Sequence, residues 1–236
     1  MGEDAKMTLP SFRTSNFSAR SGDVAEMLGE WADLLSEVVQ LSEEHCKTLA
    51  SVDHRERADL AVMLLAFWAH SRLSTAARLL DAGCLPDAVA TARAVIEAIG
   101  MQRLLSIDQE CVEKWWNGDR IPDKEIMRNL SAELRSAWGV LSQVVHPNKF
   151  ACDAHAGVRE DGMPYFVSLG ILHERPLHEL TDNLAAIGFE EFKVLSKAFP
   201  VFVQRPDIIR RALRLTERLR QHATWYRQRF LPADET

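Results

Sequence analysis

Apolar residues recur at steps of three and four along most of this chain, the spacing that turns one face of an α-helix toward a core. Across residues 23 to 49 the stripe is Val24, Met27, Leu28, Trp31, Leu34, Leu35, Val38 and Val39, with Glu26, Glu30, Asp33, Glu37, Glu43 and Glu44 between its members. This pattern predicts one long amphipathic helix with an acidic outer face. A second helix starts near Asp53 or His54, crosses the all-apolar run 60 to 69 and stops at Gly83, where positive φ is free of cost. Being apolar all round, its middle is predicted to lie at the centre of a bundle.

Pro86 suits the first turn of a third helix, because the N–H it lacks would be unpaired there anyway. Ala88, Val89, Ala92, Val95, Ile96 and Ile99 give that helix its apolar face. A fourth, shorter helix carries Val112, Trp115 and Trp116 and is broken at Asn117, Gly118 and Asp119. After Pro122 comes another short piece. Ser131 then caps a helix that must finish before Pro147, since the residue preceding proline is pushed out of helical geometry. His146 sits at that stop.

Residues 147 to 170 change character. The pair Asp161 and Gly162 is a hairpin-turn signal, and Pro164 would confine the second strand to an edge. Helical periodicity returns over 177 to 198 and again, after Pro200 and Pro206, through Ile208, Ala212, Leu215, Leu219, Ala223, Tyr226 and Phe230. The expected architecture is a single all-α domain over residues 21 to 236, a bundle of about six to seven helices. It carries an irregular or β-hairpin insert after residue 146 and follows a flexible Ser/Thr-rich tail over 1 to 20.

Composition narrows the class. Of 236 residues, 47% are apolar and 26% charged, which excludes a disordered or collagen-like chain and supplies one substantial core. The net charge of −6 argues against a whole-protein field that attracts nucleic acid. Cys46, Cys84, Cys111 and Cys152 stand alone, without a CxxC pair, as free thiols in a reducing cytoplasm would. The run 60 to 69 is half the roughly 20 residues that cross a bilayer, so a buried helix is expected and no membrane partner.

Charge is less evenly spread than the total suggests. The last helix holds eight arginines against Asp207 and Glu217, and Arg210, Arg211, Arg214, Arg218 and Arg229 share one flank of its apolar stripe. Arg210, Arg214 and Arg218 are the candidate surface for an anionic partner, nucleic acid included. The alternative is docking within the chain, because residues 21 to 60 hold ten acids against three bases. Charges inside otherwise apolar helices need a partner or a reason to be there. Arg72 is one such residue, and Arg93 and Glu97 are one turn apart and able to pair. With His146 they could converge on an anion-binding or acid/base pocket, or form an ion-pair network that fixes helix register. His146 suits proton transfer near neutral pH, and equally suits a cation at a helix C-terminus. A metal site from His146, Cys152, Asp153 and His155 matches no standard zinc spacing, so neither a metal nor a cofactor is expected. GxSxG, GxxxxGK[ST] and HExxH are absent from the chain.

The run AGCLPDAVATARAVIEAIG, with Arg93 and Glu97, together with LSQVVHPN, resembles a group of uncharacterised bacterial helical proteins similar to the HEPN superfamily. The resemblance covers roughly residues 53 to 150. It implies an all-helical module, often of stress or phage defence and often dimeric. Its ribonuclease members pair an Arg with a later His, four to six residues standing between them, the His taking the 2′-hydroxyl proton and the Arg steadying the phosphate. Here His146 falls at the matching place, but Gly139, Val140 and Leu141 stand where the Arg belongs, and Arg135 is too far upstream. A binding-type member is therefore what the resemblance implies.

The expected function is a cytoplasmic binding or assembly module, homo-oligomeric or bound to a partner protein, with Arg72, Arg93, Glu97 and Arg135 as ligand contacts. The alternative is a metal-independent ribonuclease with a rearranged site, using His146 as base and Arg93 or Arg135 on the phosphate.

Overall fold

A computed structural model describes residues 17–53, 56–145, 156–158, 164–166 and 173–231. Nine α-helices appear among them, more than the six or seven expected. They are α1 (Phe17–Leu28), α2 (Leu34–Ala50), α3 (Arg57–Asp81), α4 (Leu85–Leu105), α5 (Gln109–Asn117), α6 (Asp123–Arg128), α7 (Ala132–Val145), α8 (Glu174–Ala198) and α9 (Pro206–Phe230).

The extra count has a local cause. The helix expected over 23 to 49 is broken at Gly29, whose φ of +55° starts a single 3₁₀ turn, Gly29–Trp31, before α2 resumes. Periodicity alone misses such a break, because Trp31 and Leu34 stay buried on either side of it. α1 also begins at Phe17, so the last residues of the expected tail are helical. The rest of that tail lies outside the described residues.

Other boundaries follow the chemistry of the ends. After α3, Gly83 takes φ +70°, its N–H meets Leu80 O, and Cys84 N reaches Leu79 O at 2.7 Å, so the chain reverses at once into α4. Asp108 caps α5 by accepting from Cys111 N at 3.1 Å, and Gly118 at φ +75° ends it. Ser131 Oγ accepts from Leu134 N at 3.2 Å and opens α7.

The bundle is built on the α3–α4 hairpin. Ala61, Ala66, Ala69 and Ala76 of α3, with Ala88 and Ala92 of α4, are fully buried, and small side chains let these two helices approach closely. α2, α8 and α9 close the other side, α7 packs on α4, and the short α5 and α6 flank the hairpin. Close approach recurs at Gly100, where a Cβ would sit 2.8 Å from Ile126 Cγ2, and at Gly188, where it would sit 2.5 Å from Val38 Cγ1. Those two contacts hold α6 on α4 and α8 on α2.

Two three-residue segments, Ala156–Val158 and Pro164–Phe166, pair antiparallel with Gly157 opposite Tyr165. They form a ladder too small to be a layer, and the architecture is an all-α bundle. The turn expected at Asp161 and Gly162 lies outside the described residues.

α3 departs from expectation in two ways. By length and composition it is the one helix among the described residues long and apolar enough to cross a membrane, well beyond the ten-residue run. Its middle is not covered all round either: Leu64 is 42% exposed and Trp68 41%.

α9 is the opposite case, a strongly charged helix sewn into the bundle. Arg211 pairs with Glu44 and reaches Gln40 at 2.8 Å, while Arg218 pairs with Asp33 at 2.8 Å and Glu37 at 2.5 Å. Arg229 meets Glu174 at 3.1 Å. The intramolecular alternative therefore accounts for Arg211 and Arg218. Arg210 and Arg214 are exposed and have no ion pair among the described residues. The expected anionic-partner surface loses Arg218 and keeps these two.

Beneath those arginines runs a buried chain of rings. His178 Nε2 contacts Met27 O at 3.1 Å, His178 Nδ1 meets His222 Nε2 at 2.9 Å, and His222 Nδ1 meets Asp182 Oδ1. A carbonyl only accepts, so His178 donates from Nε2 and accepts at Nδ1, and His222 must donate from Nε2. His222 then has no second N–H for the Asp182 carboxylate unless one more proton is present. Three hydrogen bonds need three protons and two neutral rings supply two. Burial, and behind it the charge of His222, holds the pKa of His178 below its usual range.

Candidate functional site

The predicted site residues separate into a group that meets, a residue that stands apart and one outside the described residues. Arg93 and Glu97, one turn apart on α4, do pair: Arg93 Nε donates to Glu97 Oε1 at 3.1 Å. The sequence reading missed their third member. Trp138 of α7 donates its indole Nε1–H to the same Glu97 oxygen at 3.1 Å, and the Arg93 guanidinium lies over the Trp138 ring at 4.8 Å. Glu97 is 44% exposed, so solvent screens this clamp and it is worth about 1 kcal/mol at most.

Arg72 is exposed rather than desolvated, and its guanidinium rests 5.1 Å from the centre of the Trp68 ring one turn earlier on α3. Arg135 is exposed on α7 and has no ion pair among the described residues. His146 lies outside the described residues, as do Cys152, Asp153 and His155 of the metal alternative. Among the described residues no group of three or more His, Cys, Asp or Glu is placed to hold a metal ion.

Trp68, which carries Arg72 over its ring, and Glu97, which holds Arg93, both line one groove. It has a volume of about 400 Å³ and runs between α3, α4, α5 and α6, walled by Leu64, Trp68, Ala98, Met101, Trp115 and Ile126, with Glu97 as its charged residue. Its outer wall is fixed by the Gly100 contact with Ile126 and by α5. There Trp115 and Trp116 pack edge to face at 5.0 Å, and Trp116 Nε1 donates to Arg57 O at 3.2 Å. The position of Trp138 was hard to foresee, because α7 meets α4 across some forty residues of chain.

Behind the groove, in the core, lies a polar cluster that is closed to solvent. Glu191 of α8 is 2% exposed, and Gln102 Nε2 donates to it at 3.3 Å; desolvation pushes its carboxyl up to about 7 against the hydrogen bonds from Gln102 and Ser42. His45 stacks on Phe192 at 4.4 Å, and burial pushes it down to about 3. Cys46 beside them is pushed up to about 12, first by burial and then by the carboxylates of Glu191 and Glu43. A thiol held so strongly protonated is not a nucleophile. The cluster is structural, with no path for a substrate.

No protein-family model, no curated protein and no solved structure matches the chain.

Proposed function

We propose that this chain is a helical binding and assembly module of the cytoplasm whose contact surface is the groove between α3, α4, α5 and α6, and whose first partner is a second copy of itself. One observation carries the reading. Leu64 and Trp68 stand 42% and 41% exposed on a helix that otherwise buries its small residues, and they open onto a groove lined almost wholly by apolar side chains. Apolar surface gathered in one concave patch is characteristic of contact sites. Residue types that anchor such contacts are close by: Trp68 of the wall carries Arg72 over its ring, and Glu97 of the wall is held by Arg93 and Trp138. The HEPN-like resemblance supports the same reading and, with it, a setting in stress or phage defence.

The ribonuclease alternative draws less support. Arg93, one of its two phosphate contacts, is already engaged by Glu97 and Trp138. Two measurements test the choice. Sedimentation velocity over a range of concentrations should show self-association that Leu64→Gln with Trp68→Gln abolishes; a wild type that stays monomeric throughout overturns the assembly reading. Labelled RNA incubated with the protein in EDTA should stay intact. Cleavage by wild type and not by His146→Ala would replace the binding module with a metal-independent nuclease.

A further inference from the structure

A second cavity, of about 690 Å³, shares no lining residue with the groove. It lies between the first turns of α3, the end of α4 and the C-terminal turns of α8, and its volume falls within the roughly 300–1,000 Å³ of small-molecule sites. Five charged side chains line it: Asp59, Arg103, Glu190, Lys193 and Lys197.

Three of the five are tied together, two cations sharing one carboxylate. Glu190 accepts from Arg103 Nη2 at 2.8 Å through one oxygen and from Lys193 Nζ at 2.5 Å through the other, and Arg103 is also anchored on Asn129 O at 3.1 Å. Arg103 and Glu190 are 27% and 16% exposed, so this arrangement forms a fixed wall. Asp59 and Lys197 remain. Each lines the cavity, on α3 and on α8 respectively, and neither has a side-chain partner among the described residues. Facing the same space, they do not pair with each other. Asp59 in the first turn of α3 and Lys197 in the last turn of α8 are each tolerated by their helix dipoles. Asp59 is half-buried and Lys197 exposed, so solvent meets both charged groups, and neither has a protein partner among the described residues. Val62 and Val194 supply an apolar surface between them.

We infer that this cavity binds a small zwitterion of amino-acid or dipeptide size. Its ammonium group rests on Asp59, its carboxylate on Lys197 with Lys193 beside it, and its apolar portion on Val62 and Val194. A simple anion would leave Asp59 facing like charge. A simple cation on Asp59 would face three basic side chains, with Glu190 already occupied by two of them. Only a ligand with both charges gives each unpaired group an opposite neighbour. This inference is independent of the groove and of self-association.

The test is isothermal titration of the full chain with pooled L-amino acids and with the dipeptide Leu-Leu. The best binder is then compared with its N-acetyl form, which lacks the cation, and its amide, which lacks the anion. At least one zwitterion should bind at or below about 10 mM, and each derivative should bind about ten-fold or more weakly, which corresponds to about 1.4 kcal/mol. Asp59→Asn should remove the penalty for N-acetylation, and Lys197→Met the penalty for amidation, with circular dichroism unchanged from wild type in both. Absence of binding by every pool and by Leu-Leu at about 10 mM, about the −3 kcal/mol level, overturns the inference. So does an N-acetyl form that binds wild type as well as its parent, or binding indifferent to both substitutions.

Discussion

The α9 seam and the α3–α4 groove reverse what their compositions suggest. α9 is the most basic of the described helices, yet its inward arginines are held by Asp33, Glu37 and Glu44, and its histidine is buried in a hydrogen-bonded chain. α3 is the one described helix long and apolar enough to cross a membrane, yet it leaves Leu64 and Trp68 in solvent. Charge that finds a complementary face within the chain becomes structure, and apolar surface that finds none becomes a contact site. The two regions should therefore respond in opposite ways to substitution: the seam through stability, the groove through association.

The largest effect is expected at the buried relay. His222→Ala leaves the buried His178 ring and the partly exposed Asp182 carboxylate without their shared partner, and each polar group left unsatisfied costs about 1–3 kcal/mol. Urea denaturation at neutral pH measures it. Replacing His222 and Asp182 together by leucine should recover much of the loss, because no polar group is then left behind to be solvated. A cost below about 1 kcal/mol for His222→Ala would mean that the seam is held by its outer ion pairs alone.

The core cluster between the two regions gives the next largest effect, read as a slope against pH. Glu191 ionises near 4.5 when unfolded and near 7 when folded, so between those values the unfolded state has lost a proton that the native state keeps, and stability falls as pH rises. His45 is displaced the other way, from 6.5 to about 3, so over that window the unfolded state holds the extra proton and stability rises with pH. From pH 4.5 to 6.5 the two oppose each other at about 1.4 kcal/mol per pH unit each, and their sum is nearly flat. Relative to wild type, Glu191→Gln should make stability rise through that window, and His45→Phe should make it fall. Parallel curves for all three proteins would show that neither group stays neutral in the fold.

Much of this fold was legible because its helix signals are local. Gly83, Gly118, Pro86 and Ser131 each end or begin a helix where their backbone chemistry requires it. The break at Gly29 was not legible, since a single 3₁₀ turn leaves the apolar period intact on both sides. Of the site, the Arg93–Glu97 pair could be read because both residues sit on one helix one turn apart. Trp138, Glu190 and Met27 O could not, because each reaches its partner from a distant element. One signal was present and unused: His222 follows Ala212, Leu215 and Leu219 in step, a polar residue on the buried stripe of α9.

A smaller effect separates arginines of a single helix. Arg218 is 28% exposed and bridges two carboxylates, and its hydrogen bond is the first cause of the lowered pKa of Asp33. Asp33 itself is 63% exposed, so solvent screening limits the cost of Arg218→Ala to about 1 kcal/mol. Arg214→Ala removes an exposed side chain without an ion pair and should stay within about 0.5 kcal/mol. Equal costs at the two positions, measured by thermal denaturation at low salt, would remove the distinction between docked and free arginines.

A modest effect on stability should accompany the largest effect on association. Leu64 and Trp68 already meet water over about two fifths of their surface, so Leu64→Gln and Trp68→Gln each give up part of their burial in the isolated chain and should lower its stability by about 1–2 kcal/mol. In an assembled form the same side chains would sit at the dry centre of a contact, where truncating an anchor costs about 2 kcal/mol or more and weakens association roughly thirty-fold. Arg72→Ala, which strips the cation from the Trp68 ring and leaves the groove wall in place, should weaken association by less than either. If the glutamine variants unfold the chain, the exposed faces of these residues are carrying core packing after all, and the groove belongs with the seam as structure.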